Sequence, residues 1–159
     1  MKKFIRVAFI ILFCLYCFIL CYVLFLGSRP AGGSWAAHVG KSVNLVPLRS
    51  IVDYTKRFAG GKVNLSSFLA NIFGNILAFV PMGFFIPCIF KRVNSFLKNL
   101  LICFAIIVCV EIVQLVTTVG SFDIDDIILN LTGSVLGYAI YRVRPIYNFI
   151  KNTRKKFSS

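Results

Sequence analysis

Acidic residues are scarce in this chain. Only Asp53, Glu111, Asp123, Asp125 and Asp126 stand against 18 Lys and Arg in 159 residues, a formal charge of +13. Charged residues of both signs reach only 14%, where a soluble domain carries about 25%. That shortage excludes an ordinary soluble globular domain. Histidine and tryptophan occur once each, as His38 and Trp35. No G-x-S-x-G, phosphate-binding loop or H-E-x-x-H signature is present, so hydrolase, nucleotide-binding and zincin chemistry lack their usual sequence basis.

What is abundant is apolar. Hydrophobic residues make up 58%, Phe alone occurs 17 times, and the mean hydropathy is +0.85. The length suits one domain. The expected class is an all-α polytopic integral membrane protein. In a soluble protein the basic surplus would suggest nucleic acid. Here the basic residues flank apolar runs, and no basic helix or aromatic platform remains outside them. Topology and anionic headgroups account for the charge, with no nucleic-acid partner expected. The six cysteines (Cys14, Cys17, Cys21, Cys88, Cys103 and Cys109) all lie inside apolar runs and read as small hydrophobes.

Four spans are predicted: Phe4 to Leu26, Phe68 to Phe90, Leu100 to Val119, and Ile127 to Tyr141. The first is too long for the apolar core of a cleaved signal peptide and reads as an uncleaved membrane helix. Pro81 and Pro87 imply kinks in the second. The fourth has 15 residues, roughly 22 Å of helix, and needs Arg142 and Arg144 to snorkel from its end. The chain divides into an N-terminal transmembrane helix (1–26), an extracytoplasmic loop (27–67), a three-helix region (68–141) and a basic cytoplasmic tail (142–159). Twelve basic residues fall on the side of both termini and six in the 27–67 loop. The positive-inside rule then places both termini in the cytoplasm of a multi-pass cell-membrane protein.

Within the loop, Leu48, Ile51, Val52 and Phe58 share one helical face, with Arg49, Asp53, Lys56 and Arg57 largely on the other. A short helix on the outer membrane surface is expected there, starting near Pro47, with Asp53 and Arg57 paired at i,i+4. Gly32, Gly33, Gly60 and Gly61 bracket the segment as flexible joints. Trp35 suits an interfacial anchor.

The acids are not scattered. Four of the five lie between Glu111 and Asp126. Glu111 sits inside the third span, where a carboxyl group is costly unless paired, protonated or functional. Glu111, Gln114 and Thr118 share a face, while Asp126, Asn130, Gly133, Gly137 and Tyr141 recur every three or four residues along the fourth span. The second span adds Asn71 and Asn75. Candidate ligand-binding residues are therefore Asn75, Glu111, Gln114, Asp123, Asp125, Asp126 and Asn130, around a polar pocket opening outward, with Arg49 as a clamp for phosphate or carboxylate. Three roles stay open for this set: polar glue between helices, binding of a headgroup, sugar or basic drug, and chemistry or ion coordination. No cofactor is expected. An oxygen-only site at the Asp cluster would favour magnesium or calcium, but D-x-D-D lacks the EF-hand pattern. His38 has no evident orienting partner for general-base work.

These residues resemble a known family. The ordered set Asn44-Leu45-Val46-Pro47, Asn71-x-x-Gly74-Asn75, Phe79-x-Pro81-x-Gly83, Glu111-x-x-Gln114 and Phe122-Asp123-Ile124-Asp125-Asp126-x-x-x-Asn130-x-x-Gly133-x-x-x-Gly137 is similar to the VanZ-like family over roughly residues 40–141. The resemblance implies a small bacterial integral membrane protein of the cell envelope. It implies lowered susceptibility to teicoplanin, a lipoglycopeptide, without enzymatic replacement of the peptidoglycan terminus, and it supplies no catalytic mechanism. The expected partners are membrane lipids or lipid-linked cell-wall components, and no protein partner is indicated. Alternatives from other classes are a membrane enzyme or carrier for lipid-linked phosphates, and a structural subunit of a membrane complex.

Overall fold

The computed structural model describes residues 2–26, 35–93 and 95–155, so the expected joints at Gly32 and Gly33 lie outside the described residues. Helix α1 (Lys2–Cys21) runs on into a π-helical turn, Tyr22–Leu26. A short α2 (Trp35–Lys41), the two-residue strand β1 (Val43–Asn44) and α3 (Arg49–Ala59) follow. Then come α4 (Leu65–Ile89), α5 (Phe96–Val116), strand β2 (Phe122–Asp123), α6 (Ile124–Arg142) and α7 (Arg144–Lys155). The architecture is all-α and membrane-embedded. Phe4–Leu26, Leu65–Ile89 and Phe96–Val116 are long and apolar enough to cross a bilayer. Large apolar side chains such as Phe18, Leu77, Leu101 and Leu136 lie exposed on the outside of the bundle, where lipid replaces water.

Local chemistry sets the helix ends. Asn64, Ser95 and Asp123 are the N-caps of α4, α5 and α6, and their side chains accept from the backbone N–H of Ser67, Lys98 and Asp125. Helix α4 passes through both of its prolines. Pro87 has no N–H to offer the carbonyl of Gly83. The buried Asn99 amide of α5 donates to that carbonyl at 3.3 Å. One turn before Pro81, the Tyr16 hydroxyl of α1 donates to the carbonyl of Ala78 at 2.7 Å. The carbonyl freed by Pro87 is thus taken up by a neighbouring helix.

The most extensive helix pair is α4 against α6. The stripe of α6 read from the sequence is its contact face, with Asn130, Gly133, Gly137 and Tyr141 buried. A Cβ at Gly133 would stand 1.9 Å from the carbonyl oxygen of Ile76, and one at Gly137 2.0 Å from that of Val80. Backbone meets backbone along this seam. Phe79, Met82, Ile86, Cys103, Ile107 and Ile127 fill the core around it, and Leu20 of α1 closes it.

Several boundaries differ from the sequence reading. Helix α6 has 19 residues rather than 15, about 28 Å, because Asp123 caps it and Asp125 and Asp126 occupy its first turn. Helix α5 ends at Val116, and Thr118 takes a left-handed φ of 59° instead of continuing the face of Glu111 and Gln114. Leu48, not Pro47, marks the start of α3. The tail is not a plain basic extension. Arg144–Lys155 is helical because Ile146, Tyr147 and Ile150 pack on Cys88, Tyr138 and Tyr141. Arg142 lies over the Tyr147 ring, 5.0 Å from its centre.

The glycine seam gives a direct test. Gly133→Ala forces a Cβ into a backbone carbonyl and is expected to cost about 3 kcal/mol or more, beyond ordinary overpacking. Gly74, where an added Cβ meets nothing within 4 Å, is the control. Gly74→Ala should leave thermal unfolding in detergent unchanged or slightly raised, since Ala is the better helix former by about 1 kcal/mol.

Candidate functional site

The run Phe122-Asp123-Ile124-Asp125-Asp126 divides its three acids among three tasks. Strand β2 pairs in parallel with β1, setting Val43 opposite Phe122 and Asn44 opposite Asp123. This bridge brings the segment before α3 onto the start of α6. Asp123 is buried and fully engaged. One oxygen accepts from the Asn44 amide at 3.0 Å and from the Asp125 N–H at 2.9 Å, and the other accepts from the Ser50 hydroxyl. Asp125, 0% exposed, accepts from the backbone N–H of Leu48 at 2.5 Å, Ser50 at 2.8 Å and Ile51 at 3.2 Å. Those are the donors that the start of a helix leaves without intrahelical partners. A side chain of α6 therefore caps α3. The φ of +65° at Leu48, which costs a non-glycine residue roughly 1–2 kcal/mol, is held in place by that bond.

Asp126 is differently placed. One of its oxygens accepts from the Asn75 amide of α4 at 2.6 Å, and among the described residues the other accepts no hydrogen bond. It faces a cavity of about 270 Å³ lined by Ser50, Asp53, Tyr54, Arg57, Asn71, Ser121, Asp123 and Asp126. Helix α3 forms one wall, fixed to α4 by the stacked rings of Phe58 and Phe68, whose centres are 4.9 Å apart.

The remaining sequence-predicted residues gather at the same end of the bundle without lining this cavity. Glu111 is 2% exposed, and the Asp123 N–H points at its carboxylate from 3.5 Å. The Gln114 amide donates to the carbonyl of Leu24, in the π-helical turn after α1, at 3.2 Å. Asn130 is 3% exposed, and its side-chain oxygen Oδ1 has no partner among the described residues. Arg49 is exposed at the start of α3 and lines no part of the cavity. Arg57 supplies the cation there instead. It sits over the Tyr54 ring at 5.7 Å rather than pairing with Asp53. Among the described residues no group of three His, Cys, Asp or Glu is arranged around a metal position.

His38 does have partners. Its Nε2 donates to the Gly120 carbonyl at 3.0 Å, and the Ser42 hydroxyl donates to Nδ1 at 3.3 Å. Trp35 donates from its indole to the carbonyl of Val116 at 3.2 Å. Both residues dock α2 over the end of α5, outside the cavity lining. The cavity residues missed as site candidates in the sequence are Ser50, Asp53, Tyr54, Arg57, Asn71 and Ser121. On α3 the spacing of Ser50, Tyr54 and Arg57 at i, i+4 and i+7 was the available signal.

Fold and site together define a small all-α membrane protein whose loop helix is clamped by two aspartates over a polar cavity containing a third. The VanZ/LLP1 family model matches residues 13–147, and the chain belongs to that family. It is similar to Protein VanZ of Enterococcus faecium, with 29% identity over 97 residues covering 58% of this chain and 57% of that protein. The chain thus spans little more than half the length of that curated relative. No solved structure matches it.

The clamp predicts a sharp difference between two charged residues at the start of α3, the capping acid Asp125 and the exposed Arg49. Asp125→Ala leaves the N–H groups of Leu48, Ser50 and Ile51 without their acceptor and is expected to cost about 3 kcal/mol, read as a fall in the thermal unfolding midpoint in detergent. Arg49→Ala, between the donors Leu48 and Ser50 but with an exposed side chain, should stay within about 0.5 kcal/mol.

Proposed function

We propose that the protein crosses the cell membrane four times, with α6 as the fourth span, and acts at the outer face by holding the polar head of an envelope lipid. In this reading the bound head changes the membrane surface so that a membrane-seeking glycopeptide such as teicoplanin engages it less well. The orientation rests on the basic residues, twelve on the side of the termini and six in the 27–67 loop. With the termini in the cytoplasm, the cavity under α3 opens outward.

The observation that carries the proposal is the cavity lining. Three carboxyl groups, an amide, hydroxyls and a guanidinium line about 270 Å³ at the end of a membrane bundle. That volume lies just below the roughly 300–1,000 Å³ of sites for drug-sized molecules. It suits a headgroup and excludes capture of an entire glycopeptide. Arg57 takes the role assigned to Arg49 from sequence, as the cation that meets a phosphate or carboxylate through paired N–H donors.

The test is drug susceptibility at matched membrane abundance. Arg57→Gln and Asp126→Asn, made separately, should each restore teicoplanin susceptibility toward that of cells lacking the protein, while Arg49→Gln leaves it unchanged. Unaltered susceptibility in both cavity variants would remove the cavity from the function.

A further inference from the structure

We propose that the cavity recognises an aminoalkyl phosphate, a head bearing both a primary ammonium and a phosphate, with the phosphate on Arg57 and the ammonium on Asp126. This inference rests on the headgroup-binding reading above and specifies its ligand.

It follows from which groups are already committed. Asp123 lines the cavity, but both its oxygens are occupied by Asn44, Ser50 and the Asp125 N–H. Among the described residues that line the cavity, two carboxyl groups remain, Asp53 and Asp126, with one guanidinium, that of Arg57. A simple anionic head would satisfy Arg57 and leave its charge facing both carboxyl groups. Like charges brought together at such a site discriminate against a ligand. A zwitterion satisfies both signs.

The cation's chemistry is also constrained. The oxygen of Asp126 that Asn75 leaves open is a hydrogen-bond acceptor, and a primary ammonium offers three donors. A quaternary ammonium offers none and is recognised instead by aromatic cages. Among the described residues one aromatic ring, that of Tyr54, lines the cavity, and Arg57 already lies over it. Asn71, Ser121 and the Tyr54 hydroxyl are left to share the phosphate oxygens with Arg57.

The experiment uses the full chain purified in detergent and offered equal amounts of phosphatidylethanolamine, phosphatidylcholine and phosphatidylglycerol with identical acyl chains. Retained lipid is counted by native mass spectrometry. Phosphatidylethanolamine should be retained about tenfold over the other two, the scale of one charge-assisted hydrogen bond. Asp126→Asn should abolish that preference, and Asp53→Asn, which disturbs no bond seen here, should weaken it. Arg57→Gln should lower retention of all three lipids. Displacement of phosphatidylethanolamine by free O-phosphorylethanolamine would support the proposed chemistry with the head alone sufficient. Preference without displacement would support it with the lipid anchor required. Arg57-dependent retention without preference for the primary amine overturns this inference but leaves the headgroup reading standing. Retention independent of Arg57 and of both carboxyl groups overturns both.

Discussion

A single buried carboxylate, that of Asp125, receives the backbone N–H groups at the start of a helix more than seventy residues earlier in the chain. The arrangement answers a problem specific to this fold. Helices α3 and α6 begin at the same place, and the start of each carries unpaired donors and the positive end of a helix dipole. Two such ends together require acceptors and negative charge. Asp125 serves α3, and Asp123 serves α6 while also holding Asn44 and Ser50. The clustering of acids in a chain of net charge +13 is therefore structural in two of its members. Asp126, one residue further along, has an oxygen left over for something else.

The α4–α6 seam supplies the other half of the site. Gly133 and Gly137 let α6 approach until its backbone touches the carbonyls of Ile76 and Val80. That contact fixes the register of the two helices. Asn75, adjacent to Ile76, then reaches Asp126, two turns above Gly133. A seam shifted by one residue would turn Asn75 away from the carboxylate. The close approach that excludes side chains lower in the bundle thus aims polar groups at its end. Asn71, one turn before Asn75 on the same face, completes the α4 wall of the cavity.

Much of this was legible in the residues. Long apolar runs define the spans, the spacing of Asp126, Asn130, Gly133, Gly137 and Tyr141 marks a helix face, and Leu48 to Phe58 shows the period of α3. The partition of the acids was not legible, because it depends on a contact between residues 48–51 and 125 that no local pattern encodes. For the same reason Arg49 looked like the clamp. Arg49 and Arg57 carry the same charge on the same helix, and only docking decides which one faces the cavity. Gln114 shares the face of Glu111 but bonds to Leu24, a partner created by the π-helical turn, which leaves no composition signal. Helix α7 stayed hidden because its charge resembles a solvated tail until Ile146, Tyr147 and Ile150 find Tyr138 and Tyr141.

The capping of α3 by Asp125 is tested most directly by hydrogen–deuterium exchange on the protein reconstituted in nanodiscs, read at the amides of Leu48, Ser50 and Ile51. Helix starts normally exchange quickly, because their first N–H groups lack intrahelical partners. These three amides should instead exchange as slowly as those in the middle of α3. Fast exchange at all three, with the rest of α3 protected, would contradict the clamp and the cavity built on it.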